Sequence, residues 1–243
     1  MSNPTPLTLR QIEDLKPFDS ATICNAIELF NVRPFNTGYM DDRVRCVFPK
    51  LPPMIGYAVT ATFRSHAPGR GGDVYSGLQK LIEALKASPQ PTVVVFQDLD
   101  NPSAAATFGE VMCTAFRAAG AAGLVTSGMG RDIPQIEPLA FPVFVHGINP
   151  SHAYCRVIDV NVSVHVGGLT VYPGDLLHGD ANGVTTIPHE IGPKVAEAAK
   201  RIVDAEGEFL AYARGKSNIP AAELIAQFDK FRAGMAKVKG LYK

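Results

Sequence analysis

PTVVVFQD, residues 91–98, is an unbroken apolar run that stops at two polar residues. A strand with one wet face alternates apolar and polar, so a run apolar at both parities reads as a strand covered on both faces. Such strands belong to sheets layered with helices. The flanking segments agree. Upstream, GYAVTATF (56–63) is rich in β-formers, and VYSGLQKLIEALKA (74–87) sets Leu78, Leu81, Ile82 and Leu85 on one helical face. Downstream, FGEVMCTAFRAA (108–119) reads as helix, GLVTS (123–127) as strand and LAFPVFVHG (139–147) as another strand. Strands alternating with helices predict α/β packing with right-handed crossovers.

Toward the N-terminus, Thr8-Leu-Arg-Gln11 fits a capping box, and a second helix opens at Asp19 or Ser20 and runs through ATICNAIELF (21–30). After Arg156 the pattern changes. In VIDVNVSVHVGGLTVYPGD (157–175), Ile158, Val160, Val162, Val164 and Val166 alternate with Asp159, Asn161, Ser163 and His165. That predicts one period-two strand with a wet face. YPGDLLHGDANGVTTIP (172–188) adds turns at PGD and ANG, with a short strand between and another after. From Glu190 the chain reads as mostly helical, with a break at GKSNIP (215–220). The expected fold is α/β, a swivelling β/α/β-type domain with a mixed sheet and flanking N- and C-terminal helices. It forms a single domain over 1–243, with its core at about 20–190 and a helical extension at about 190–243.

The length of 243 residues suffices for a substantial core. Lys and Arg number 23, as do Asp and Glu, so the net charge is zero. That balance speaks against broad nucleic-acid binding, which needs cations to neutralise phosphates. No apolar run is long enough for a membrane span, and the polar start MSNPTPLTLRQIEDL lacks the apolar centre of a signal peptide. Cys24, Cys46, Cys113 and Cys155 are scattered without CxxC spacing. Reduced thiols in a cytoplasm are expected, not a disulfide framework or a zinc site.

In GLVTSGMGRDIPQI (123–136) a strand ends in glycines, and Arg131 and Asp132 follow side by side. The carboxyl edge of a sheet is where open α/β folds form ligand crevices. Glycine there permits positive φ or close approach of a ligand. A surface turn with two solvated charges would look the same. In ATFGEVMCTAF (106–116), Gly109 and Glu110 stand at a helix start. The free N–H groups of its first turn, around Val111 and Met112, would attract a carboxylate. Glu110 alone also suits the helix dipole.

Gly109-Glu110 is followed by Gly123-x4-Gly128-x2-Arg131-Asp132, then Pro173-Gly174-Asp175, then Gly179-Asp180-Ala181-Asn182-Gly183-Val184 running into Ile187-Pro188. In order and spacing these motifs resemble the regulator-of-ribonuclease-activity superfamily over about residues 20–215. That superfamily includes class II 4-hydroxy-4-methyl-2-oxoglutarate aldolases, which also decarboxylate oxaloacetate, and protein-binding regulators of ribonuclease. The resemblance implies that Asp132 coordinates a divalent metal, Mg2+ or Mn2+, completed largely by waters and substrate. It implies that Arg131 binds the keto acid and stabilises enolate charge. The backbone of Gly109, Glu110, Val111 and Met112 would hold the substrate carboxylate, and Glu110 would orient metal-bound water. A C-terminal glutamate, Glu206 or its neighbour Glu208, would reach across a subunit interface of a homotrimer or homohexamer. The implied reaction is cleavage of a carbon–carbon bond in a small 2-keto dicarboxylic or tricarboxylic acid to release pyruvate. Cation and arginine then meet the enolate charge that the cleavage leaves. A non-catalytic protein-binding regulator is the alternative. Glu110, Arg131, Asp132 and the long helical tails favour the enzyme. Ser127 departs from the pattern, standing where many relatives carry Asp before the glycine.

Other features read as structural. HAPGRGGD (66–73) lacks GK[ST] and reads as a flexible loop. His146, His152 and His178 stand near turns without ligand spacing, and His165 lies on the polar face of its strand. Cys113 reads as a small buried residue, and Asp175 and Asp180 as turn formers.

Overall fold

The apolar run at 92–98 lies inside the main sheet and is buried on both faces. The computed structural model describes residues 5–71 and 76–242. Its first elements are α1 (Leu9–Leu15), α2 (Ser20–Leu29), β1 (Arg45–Cys46), β2 (Met54–Arg64) and α3 (Leu78–Ala87). Next come β3 (Thr92–Asp98), β4 (Ala106–Phe108), α4 (Glu110–Ala118), β5 (Ala121–Thr126), β6 (Met129–Gly130) and α5 (Ile133–Ile136). β7 (Val143–Val145), β8 (Gly147–Ile148), β9 (Arg156–Val160), β10 (Val164–Val166) and β11 (Leu169–Val171) follow. The chain closes with β12 (Leu176–Asp180), β13 (Gly183–Ile187), α6 (Gly192–Ala213) and α7 (Ala221–Gly240).

The main sheet has the order β1-β7-β5-β3-β2-β12-β13, and β9 pairs with the far half of β2. β2, β3, β5 and β7 are parallel, whereas β1, β9, β12 and β13 pair antiparallel, so the sheet is mixed. Alternate side chains of β3 explain its composition. Val94 and Phe96 enter a core with Leu81, Leu85 and Phe116 of the helices. Val93 and Val95 enter another with Val164, Val166 and Val171 of the β10–β11 hairpin. Both faces meet apolar partners, so neither parity tolerates a polar residue. A third core joins α1, α2 and α6 over Ile55 and Tyr57.

Local signals act as expected at several helix starts. Thr8 and Gln11 form the capping box, and Asp19 Oδ1 accepts from Thr22 N at 2.7 Å to cap α2. α3 begins at Leu78, after Gly77 at φ 83°; residues 74 and 75 of the expected helix lie outside the described residues, as do 72 and 73 of the HAPGRGGD loop. Asp175 and Asp180 accept from Tyr172 N and Asn182 N, as turn formers do.

The run after Arg156 corrects the sequence reading. It is not one strand: Asn161, at φ 56°, breaks it into β9 and β10. A left-handed residue, tolerated by Asn, resets the phase of the alternation. Val157 therefore faces the core at 7% exposure, while Ile158 is 43% exposed. Beyond the break the expected phase holds, with Val164 and Val166 buried and Ser163 and His165 exposed.

His178 also differs from a turn residue. It is fully buried on β12, and its Nδ1 lies 2.9 Å from Ser20 Oγ at the start of α2. Burial outweighs the nearby Asp180 and Asp19 carboxylates and pushes its pKa down to about 4. The folded state holds a neutral ring, while the unfolded chain takes up a proton below about 6.5. Stability should therefore be flat above that pH and fall as pH drops toward 4, by of order 3 kcal/mol. Urea denaturation at pH 7 and pH 4.5 checks this. His178→Asn should lose much less stability than the wild type over that interval, and equal losses would assign the pH dependence elsewhere.

Candidate active site

The residues that the sequence separates by about twenty positions meet because of a second, smaller sheet. β4, β6 and β8 pair in parallel, in that order. Parallel neighbours end at the same edge, so Gly109-Glu110 after β4 and Arg131-Asp132 after β6 emerge side by side. Arg131 N donates to Phe108 O at 3.2 Å and ties the two exits together.

Glycines make this approach possible. A Cβ on Gly109 would collide with Asp132 Oδ2 and stand 3.0 Å from Arg131 Nε. A Cβ on Gly130 would stand 2.5 Å from Phe108 Cζ, and one on Gly128 2.6 Å from Thr107 Cγ2. Gly128 and Gly130 thus admit neighbouring side chains of this chain. Neither has positive φ; the left-handed residue of the motif is Asp132, at φ 57° and ψ 35°. A non-glycine held there is uncommon, though Asp tolerates it better than most.

Asp132 Oδ2 accepts from Glu110 N at 3.1 Å, while Arg131 Nε lies 3.7 Å from the same oxygen. Gly109 has no side chain to cap α4, and Asp132 satisfies one of its free N–H groups from outside the helix. Cys113 N is the first to bond within the helix, to Gly109 O at 3.0 Å. Val111 and Met112 N–H therefore remain for an anion, with the helix dipole behind them.

Glu110 is exposed and Arg131 half-buried. Phe108, Gly109, Met112, Arg131 and Asp132 line one concavity with His152 and Cys155. The last two were not singled out by sequence, since neither carries a recognisable spacing. They arrive because Ala106 N of β4 donates to Ser151 O at 2.8 Å. Cys113 is fully buried beneath α4, and burial, with Asp132 close by, raises its thiol pKa far above the ordinary value. It offers no thiolate nucleophile.

Two expected participants lie elsewhere in this chain. Ser127 belongs to a separate cleft beside Asp98, where its Oγ accepts from Asp98 N at 2.9 Å. Glu206 is half-buried on α6; burial and the facing Asp19 push its carboxyl pKa upward. Glu208 lines a groove between α6 and α7. Neither glutamate lines the concavity of Arg131 and Asp132.

The donor set fits a hard, solvent-retaining cation better than zinc. Among the described residues no group of three or more His, Cys, Asp or Glu forms a cage. Asp132 offers one partly exposed carboxylate, with Oδ2 taken by Glu110 N and Oδ1 left over. One or two carboxylates plus waters and substrate oxygens is how Mg2+ is commonly held.

Comparison with known proteins gives this geometry a family. Residues 20–186 match the RraA-like family model, described as Aldolase/RraA. A protein of Halalkalibacterium halodurans, provisionally named 4-hydroxy-4-methyl-2-oxoglutarate aldolase, is 34% identical over 137 residues. That stretch is 55% of this chain and 64% of the relative, so the chain spans less than two thirds of the relative's length. An uncharacterized protein from Pseudomonas syringae pv. tomato shares the fold at TM-score 0.69 and 20% identity, covering 89% of this chain and 94% of that one. Streptomyces coelicolor RraAS2, described as an unusual member of the RNase ES inhibitor RraA protein family, matches at TM-score 0.65 and 25% identity. The match covers 83% of this chain and 97% of that one. No helix among the described residues is long and apolar enough to cross a membrane. The chain belongs to the RraA-like, Aldolase/RraA family.

Proposed function

We propose that this protein is a divalent-metal-dependent lyase that cleaves a carbon–carbon bond of a small 2-keto acid and releases pyruvate. It would act as a 4-hydroxy-4-methyl-2-oxoglutarate aldolase, an oxaloacetate decarboxylase, or both. The observation that carries this reading is the meeting of the free first-turn N–H groups of α4 with Arg131 and Asp132 at one sheet edge. The similarity to the Halalkalibacterium protein supports it.

Val111 and Met112 N–H receive the carboxylate next to the keto group, and Arg131 faces the keto oxygen, where negative charge grows as the bond breaks. Asp132 would hold Mg2+ or Mn2+, and Glu110 would orient a water beside it. When bound, the metal supplies positive charge to the keto acid's oxygens. No lysine lines the concavity among the described residues, so no amine for a Schiff base stands there. Glu206 of a neighbouring copy would complete the site in a homotrimer or homohexamer, in a cytoplasmic setting.

The test is pyruvate release from oxaloacetate and from a 4-hydroxy-2-keto acid, with Mg2+ and with excess EDTA. Chelation should abolish release, and Asp132→Ala should lose it while its thermal unfolding remains cooperative. Undiminished release in EDTA would remove the metal from the reaction. The likeness to RraAS2 favours a second reading, a non-catalytic protein-binding regulator. That reading gains if neither acid yields pyruvate with Mg2+ or Mn2+ while ribonuclease activity falls in the protein's presence.

A further inference from the structure

We propose that His152 reads the distal carboxylate of the substrate and so selects dicarboxylic keto acids over monocarboxylic ones; this rests on the lyase reading above. Among the described residues lining the concavity, only Arg131 and His152 can carry positive charge. Arg131 and the first-turn N–H groups serve the keto-acid end. A second carboxylate then faces Ala106, Phe108, Val111, Met112 and Cys155, which are apolar or weak donors. Burying it there without a hydrogen-bonding partner is costly. His152 is the side chain able to meet it.

The ring is held for such a role. Ser151 N donates to Asn149 Oδ1 at 2.9 Å, Ala153 N to Ser151 Oγ at 3.0 Å and Cys155 N to His152 O at 3.0 Å. The bond from Ala106 N to Ser151 O fastens this tight segment to β4, beside the site. Ala153 sits at φ 43°, a conformation alanine seldom adopts without such fastening. His152 Nδ1 lies 2.7 Å from Ala153 O. A carbonyl only accepts, so Nδ1 carries a proton, and the doubly protonated ring donates from Nε2 as well.

Binding to the full chain with Mg2+ tests this, using pyruvate and 2-oxoglutarate as probes. Both carry the keto-acid end, only 2-oxoglutarate adds a distal carboxylate, and neither presents a bond this chemistry cleaves. In imidazole-selective NMR, 2-oxoglutarate should move the His152 ring signals and pyruvate should not. His152→Gln should weaken 2-oxoglutarate binding roughly tenfold, as loss of a charge-assisted hydrogen bond does, and leave the affinity for pyruvate essentially unchanged. His165→Gln, on an exposed strand position, should change neither. If His152→Gln weakens both acids equally or neither, or if neither acid binds the wild type, the assignment is overturned. If the His152 signals respond to 2-oxoglutarate yet oxaloacetate yields no pyruvate, the lyase reading falls and the carboxylate-reading role stands.

Discussion

Gly109→Ala should fold normally and lose roughly a hundredfold or more in pyruvate release, the scale of loss that follows a misplacement of about 1 Å. The backbone there, at φ −149° and ψ −169°, is extended, so alanine meets no conformational strain. The effect is steric and local. The new methyl would overlap Asp132 Oδ2 and press on Arg131, 3.0 Å from Nε and 3.2 Å from Cγ. To relieve it, the carboxylate must leave Glu110 N, its partner at 3.1 Å. That movement uncouples the metal ligand from the helix start and shifts the arginine in the same event. Overpacking of this kind costs about 1–3 kcal/mol of stability, which a domain of this size survives. Gly207→Ala is the control, because nothing lies within 4 Å of a Cβ there, on α6. It should stabilise slightly and keep full activity. A fully active Gly109→Ala would mean that the close approach of these two exits has no part in turnover.

The legible part of the fold was carried by long signals. β2, β3 and the helices α2 and α4 each spend enough residues on one pattern for period, cap and burial to agree. The small sheet was illegible. β6 is Met129–Gly130 and β8 is Gly147–Ile148, too short to show any period. Yet this sheet brings Gly109 to Asp132. Arg131 and Asp132 were legible as a pair at a strand end, but not that Asp132 itself would adopt the left-handed backbone and cap α4. Gly128 and Gly130 were read as freedom for the backbone or a ligand; they are spaces for Thr107 and Phe108. Ile158 and Val157 exchanged places because one left-handed Asn161 resets a two-residue period, a choice that composition does not encode. His152 had no local signal, since its place depends on a hydrogen bond to a strand about forty-five residues earlier.

Arg131→Lys should retain metal binding and lose roughly a hundredfold or more in turnover, comparable to removing one preorganised donor from an oxyanion site. The backbone of residue 131 is fixed by its bond to Phe108 O, so the change concerns the head group alone. A guanidinium is a planar fork that can span a keto oxygen and an adjacent carboxylate oxygen together. An ammonium is a point charge that serves one of them well. It is also more strongly hydrated, so it would draw water into a half-buried site where the arginine displaces it. Ground-state binding keeps the N–H groups of Val111 and Met112, so KM should change little. The missing interaction grows only as the enolate forms, so the loss belongs in kcat. Measurement of kcat and KM for pyruvate formation from oxaloacetate, with metal content checked in both proteins, decides it. An unchanged kcat would reduce Arg131 to a charge beside Asp132. A loss confined to KM would make it a substrate anchor that does nothing for the bond being broken.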